Sequence, residues 1–172
     1  MYGHFRKVSL AALVLCAVAR LAPAAESAGS PGSLVAAVAQ AGMTEVAAAR
    51  LAVDASGSNA VKELAYRLIQ DHERMRADLE LIAQKRGIDL PAALDPEHAA
   101  RLQALKEASA QDFDARYLAQ TILAHAKLAD LLRENLLNPD SGLAVFSSYN
   151  LPRVMGHKRV AEDLTLPVGK VR

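Results

Sequence analysis

The chain has no tryptophan, one cysteine and only 4% aromatic residues. It also lacks an excess of either charge, with 20 Lys and Arg against 19 Asp and Glu. A nucleic-acid binder needs a basic stripe to neutralise phosphates, so that class is excluded. A core without large aromatics must be built from Ala, Leu and Val, which suits close-packed helices better than a β-sandwich. There is no β-hairpin signal and no repeat of 20–50 residues. A Gly-rich phosphate loop and a nucleophile elbow are also missing, so triad hydrolysis has no support. What is present is 172 residues, 52% hydrophobic and 23% charged. That is enough for one folded domain and too apolar for a disordered chain.

Residues 1–25 read as a secretory signal peptide. Arg6 and Lys7 precede the apolar run of residues 8–19, and the small residues Ala22-Pro23-Ala24-Ala25 follow. Charged start, short apolar middle and small-residue cleavage site are the parts of such a signal. Cleavage falls near Ala24 or Ala25. Leu15 before Cys16 is bulky where a lipoprotein site wants a small residue. Loss of Arg6, Lys7 and Arg20 leaves 17 basic residues against 19 acidic, a formal charge of −2. Cys16 leaves too, so the mature chain has neither a disulfide nor a thiolate ligand. No later apolar run reads as a transmembrane segment of the mature chain. The expected location is the periplasm, or outside the cell.

The rest divides into a linker (26–33), a helical domain (34–166) and a short tail (167–172). The first helix spans about 34–55 and ends at Ser56-Gly57-Ser58-Asn59. The second runs to about Arg86, with Gly87 as its stop. Asp95-Pro96-Glu97 opens a short helix over 96–108, because Asp caps and Pro suits the first turn. Ser109-Ala110-Gln111-Asp112 resembles a capping box ahead of the third long helix, which ends near Leu137. The turn Asn138–Gly142 leads to the fourth, over about 141–164, where Pro152 is expected to kink or restart the helix.

Each long helix carries an apolar seam with threes and fours between its members. The seams are Val35, Val38, Gly42, Glu45, Ala49 and Ala52; then Val61, Ala65, Leu68, His72, Met75, Leu79 and Ile82. The third has Leu118, Thr121, His125, Leu128 and Leu132. The fourth has Leu143, Ser147, Asn150, Val154, His157, Ala161 and Leu164. Four such seams predict an all-α four-helix bundle. The connection between the second and third long helices exceeds twenty residues, long enough to run the bundle's length as in ferritin-like topology.

Each seam is interrupted by one residue able to bind a metal: Glu45, His72, His125 and His157. Three of the four histidines left after cleavage are in this set, and His98 lies in the crossover. All four seam residues fall near mid-helix, at heights that differ by roughly one turn of 5.4 Å. Burying a carboxylate and three imidazoles costs free energy unless they are paired or coordinated. One divalent transition ion would do both, and His3Glu suits Zn, Fe, Mn, Cu or Ni. The plainer reading is a buried hydrogen-bonded network that fixes helix register without a ligand. Asp71 points off the seam, where it can orient a neighbouring histidine. Tyr66, Tyr117 and Tyr149 read as ordinary amphipathic packing residues.

Residues 40–164 resemble an exported bacterial family catalogued as domain of unknown function 4142. The resembling stretches are 40–52, 68–91, 94–105, 112–118 and 150–161. The sharpest marks are Asp71-His72, Asp114 with Tyr117, and the spacing from Leu151-Pro152 to His157. The resemblance implies a ferritin-like bundle and export, and says little about chemistry. This chain departs from it at Ala124-His125-Ala126, where the family often has acids beside the histidine. A di-iron carboxylate bundle needs Glu-x-x-His on two helices. Ile69 and Val154 stand three residues before His72 and His157, so ferroxidase chemistry is not expected. The leading expectation is an exported, non-enzymatic bundle holding one divalent transition metal, in stress tolerance or metal handling. A structural module of the envelope, partnered by itself or by another envelope protein, is the second. A metal-dependent redox enzyme is the third.

Overall fold

The computed structural model describes residues 31–166. Residues 1–30, on which the expected signal peptide and the start of the linker fall, and the tail from 167 lie outside these. The described residues form five helices: α1 (Pro31–Ala55), α2 (Asn59–Arg86), α3 (Pro96–Lys106), α4 (Phe113–Glu134) and α5 (Ser141–Thr165). No strand occurs among the described residues.

Local chemistry sets most of the ends. Helix α1 is already helical at Pro31, the first described residue, so residues 31–33 of the expected linker belong to it. The Ser58 side chain accepts from the Val61 amide at the start of α2, and Gly87 closes it at φ +64°. Only glycine enters that left-handed region without cost. Asp95 caps α3 by accepting from the His98 amide, and Asp140 caps α5 through Gly142 and Leu143. Ser109 and Asp112 bond to each other as a capping box would, through Ser109 Oγ to Asp112 Oδ2 and Asp112 N to Ser109 Oγ. They close a separate turn, and α4 starts only at Phe113. At the other end α4 stops at Glu134, and residues 135–137 form a turn. Pro152 neither restarts nor breaks α5, which is helical throughout. Pro152 and Ser148 are both exposed, so water can take the Ser148 carbonyl that lost its donor.

The long helices pack in a ring, α1 against α2, α2 against α5, α5 against α4, and α4 against α1. Arg86 at the end of α2 pairs with Asp140 at the start of α5, so these two run antiparallel. Gln40, early in α1, holds the start of the crossover through Ala93 O and Asp95 N, both 3.0 Å. The crossover therefore climbs the bundle's full length, with α3 against α1 and α4. This is the one-crossover topology of ferritin-like bundles.

The core has two apolar blocks. One contains Val35, Val38, Met75, Leu79, Leu128, Leu132, Leu143 and Val154. The other contains Ala49, Ala52, Leu64, Leu68, Leu105, Phe113, Tyr117 and Ala161. Burying each large side chain stabilises the fold by about 1.5–3 kcal/mol. By length and composition α1 is apolar enough to cross a membrane. Within the bundle its apolar residues Leu34, Val35 and Val38 join the first block, and Ala48, Ala49 and Ala52 the second. Every seam residue named above is buried except Gly42, Ile82 and Leu164, which are half-buried. Tyr117 is buried, whereas Tyr66 and Tyr149 are more than half exposed and lie off the core.

Candidate metal centre

Each long helix passes from one apolar block to the other through a polar residue. On α1 this is Glu45, on α2 His72, on α4 His125 and on α5 His157. All four are buried, with 4%, 1%, 0% and 3% of their surface exposed. The four rods thus bring a polar layer to one level between two dry ones.

The three histidines converge. One ligating atom from each of His72, His125 and His157 lies within 4.8 Å of the others. Their ring centroids form a near-equilateral triangle with sides of 5.3, 5.4 and 5.9 Å. The Nε2 atoms of His72 and His125 are 3.3 Å apart. Two nitrogens bound tetrahedrally to one zinc-sized ion, each at about 2.0–2.1 Å, would lie about 3.3–3.4 Å apart. Glu45 stands beside this group. Its Oε2 is 3.7 Å from Nδ1 of His125, on the side of that ring away from the His72 contact.

Neighbours fix two of the three tautomers. His125 Nδ1 donates to the Thr121 carbonyl at 2.9 Å. That carbonyl is four residues earlier on the same helix, and the bond leaves Nε2 as the free lone pair. His157 Nε2 lies 2.9 Å from Asp71 Oδ2, which leaves Nδ1 as the lone pair. Asp71 is reached from the α2 side, next to His72 in sequence, and it also lies near Arg74 and Arg153. The sequence expectation for Asp71 named this orienting role. It missed Thr121, which reads as a plain seam residue. The signal was available, since a histidine and the carbonyl one turn back share a helix face.

Charge is disfavoured in this layer. Burial pushes the Glu45 carboxyl up to about 8, and Arg101 from α3 opposes that. Burial and the neighbouring imidazoles hold His72 well below the ordinary 6.5. Burial and His157 bring His125 down to about 4, against the pull of the Thr121 carbonyl. His157 is lowered chiefly by burial, with Asp71 resisting. At neutral pH the layer therefore holds three neutral imidazoles and a largely protonated acid. Neutral imidazoles are what a metal needs as ligands.

Three buried polar atoms in the layer have no hydrogen-bond partner: Glu45 Oε2, His72 Nδ1 and His157 Nδ1. Such atoms are costly unless water or a ligand satisfies them. Glu45 also lines a cavity of about 260 Å³ beneath α3, with Glu97, His98, Arg101 and Lys127 around it. This gives the layer a charged side facing the crossover.

No protein of curated function is significantly similar to the chain. A crystal structure of a DUF305 fragment from Deinococcus radiodurans superposes with a TM-score of 0.70 at 16% identity. The match covers 78% of this chain and 95% of that one, so the two share a helical-bundle fold. The sequence itself matches a family described as a domain of unknown function, DUF4142, over residues 16–164, and the chain belongs to that family.

Proposed function

We propose that this bundle is an exported protein that holds one divalent transition-metal ion in its core. His72 and His125 contribute Nε2, and His157 contributes Nδ1. Asp71 and Thr121 orient two of the rings. Glu45 stands behind His125 and supplies compensating negative charge when it ionises. The observation that carries this reading is the convergence of three neutral, buried imidazoles from three helices within 4.8 Å. The spacing between the His72 and His125 nitrogens matches a tetrahedral edge, and the lone pair of His157 has no other partner. Three nitrogen ligands fit Zn(II) well, and Fe, Mn, Cu and Ni remain compatible.

A dry hydrogen-bonded layer is the rival reading. The His72–His125 contact favours it, because one Nε2–H can donate to the other nitrogen. The orphaned atoms of Glu45, His72 and His157 weigh against it, since a register-fixing network should satisfy its members. The proposed setting is the periplasm, on the strength of the N-terminal signal pattern. Metal analysis of the protein without residues 1–25 separates the readings: one ion retained per chain supports the metal centre, and none, with an unchanged melting temperature, supports the dry layer.

A further inference from the structure

Two of the clustered histidines have an acceptor behind them, and the third faces a cavity. His125 has the Thr121 carbonyl and His157 has Asp71. Nδ1 of His72 has no protein partner, although the residue is 1% exposed. Opposite it stands Gly42 of α1, where a Cβ would come no nearer than 3.9 Å to that nitrogen. Gly42 and His72 both line a cavity of about 280 Å³ between α1 and α2. Its walls are largely apolar, with Val38, Val46, Met75 and Leu79 among them, and the charged Arg50, Glu73 and Arg76 also line it.

We propose that this cavity binds a small, neutral, largely apolar molecule whose single carbonyl-type oxygen accepts a hydrogen bond from His72 Nδ1–H. Size permits it, because an apolar cavity of about 150 Å³ already admits benzene. A mostly apolar lining with a few placed polar groups is the usual pattern of a small-molecule site, and His72 is the buried one here. The cationic side chains at the rim do not ask for an anion. Arg50 is paired with Glu73 at 3.0 Å, and Arg76 with Glu80 at 2.8 Å. The acceptor character of the ligand rests on the proposed metal site, since an ion on Nε2 leaves the proton on Nδ1. The cavity itself does not depend on it. Metal-binding histidines ordinarily donate their second N–H to an acceptor, which raises their basicity. The ligand completes that arrangement, so metal and ligand tighten each other's binding reciprocally.

The test uses purified mature protein, metal-free and zinc-loaded, titrated with acetophenone and with α-methylstyrene. The second compound has the same shape, with a CH2 in place of the oxygen. Saturable amide shifts confined to Gly42, Met43, His72 and Met75 are expected with both. Acetophenone should bind about fivefold tighter or more to the zinc form than to the metal-free form, while α-methylstyrene binds both forms equally. Gly42→Leu and, independently, Ala47→Leu should fill the cavity and abolish the shifts. Shifts scattered over the surface, or untouched by both fillings, overturn the cavity site. Acetophenone binding that ignores bound zinc overturns the hydrogen-bond assignment. Failure to take up zinc at all removes the metal reading and the acceptor assignment, and the cavity is then judged on the metal-free shifts.

Discussion

Nε2 of His72 and Nε2 of His125 face each other at 3.3 Å, although 53 residues of chain separate them. Helices α2 and α4 have no short connection, and only the crossover with α3 places them in one bundle. The contact is therefore a product of topology. It joins two rings that cannot both be charged, and Thr121 directs the free lone pair of one toward the other.

Asp71→Asn should leave the fold intact and weaken metal binding. The amide can still contact His157 Nε2, but it no longer holds that proton with a charge. Loss of such a partner typically lowers metal affinity by about 10–100-fold. Competition with a chromophoric chelator at fixed pH measures it. An unchanged affinity would show that His157 does not depend on Asp71.

The metal-free protein should be most stable near neutral pH. The folded-state pKa of each core histidine is depressed, so their contribution is whole above 6.5 and is lost as pH falls, through about 4 for His125. The folded-state pKa of Glu45 is raised, so its contribution declines from 4.5 upward and is gone above about 8. Between those limits three histidines outweigh one acid, and stability rises with pH until they are all neutral. Glu45→Gln should abolish the alkaline decline and stabilise the metal-free protein at pH 9 by on the order of 4 kcal/mol. At pH 5 the gain should shrink to about 1 kcal/mol or less. Urea unfolding at the two pH values checks both halves.

Leu68→Ala should destabilise the fold by about 2–5 kcal/mol, because Leu68 is fully buried in the block next to the histidine layer. Gly87→Ala should cost about 1 kcal/mol through its left-handed φ. Thermal unfolding followed by circular dichroism measures both, and neither change should lower the metal stoichiometry.

The bundle was legible because its seams are long and regular. Val61, Ala65, Leu68, His72, Met75 and Leu79 name one face of α2, and all are buried. The one potential metal ligand in each seam also pointed to the layer, since helices packed side by side put mid-helix residues at similar heights. What periodicity could not supply was direction within the layer. Glu45 shares the layer, yet it approaches Nδ1 of His125 and not the point the three imidazoles share. That depends on rotamers and on Arg101, which arrives from the crossover. The cavity at Gly42 was hidden for a similar reason. A glycine in a seam reads as close packing, and here it leaves room beside a ring nitrogen.

Metal content is the most direct measurement of the core site. The protein without residues 1–25, refolded with excess Zn(II), Mn(II), Cu(II), Ni(II) or Fe(II) and freed of loose ions by gel filtration, should retain one ion per chain for at least one of these metals. It should also melt higher than the metal-free form. His72→Ala combined with His125→Ala should lose both the ion and the stabilisation. Metal-free protein from every refolding, with an unchanged melting temperature, would contradict a core metal site and leave the three imidazoles as a structural layer.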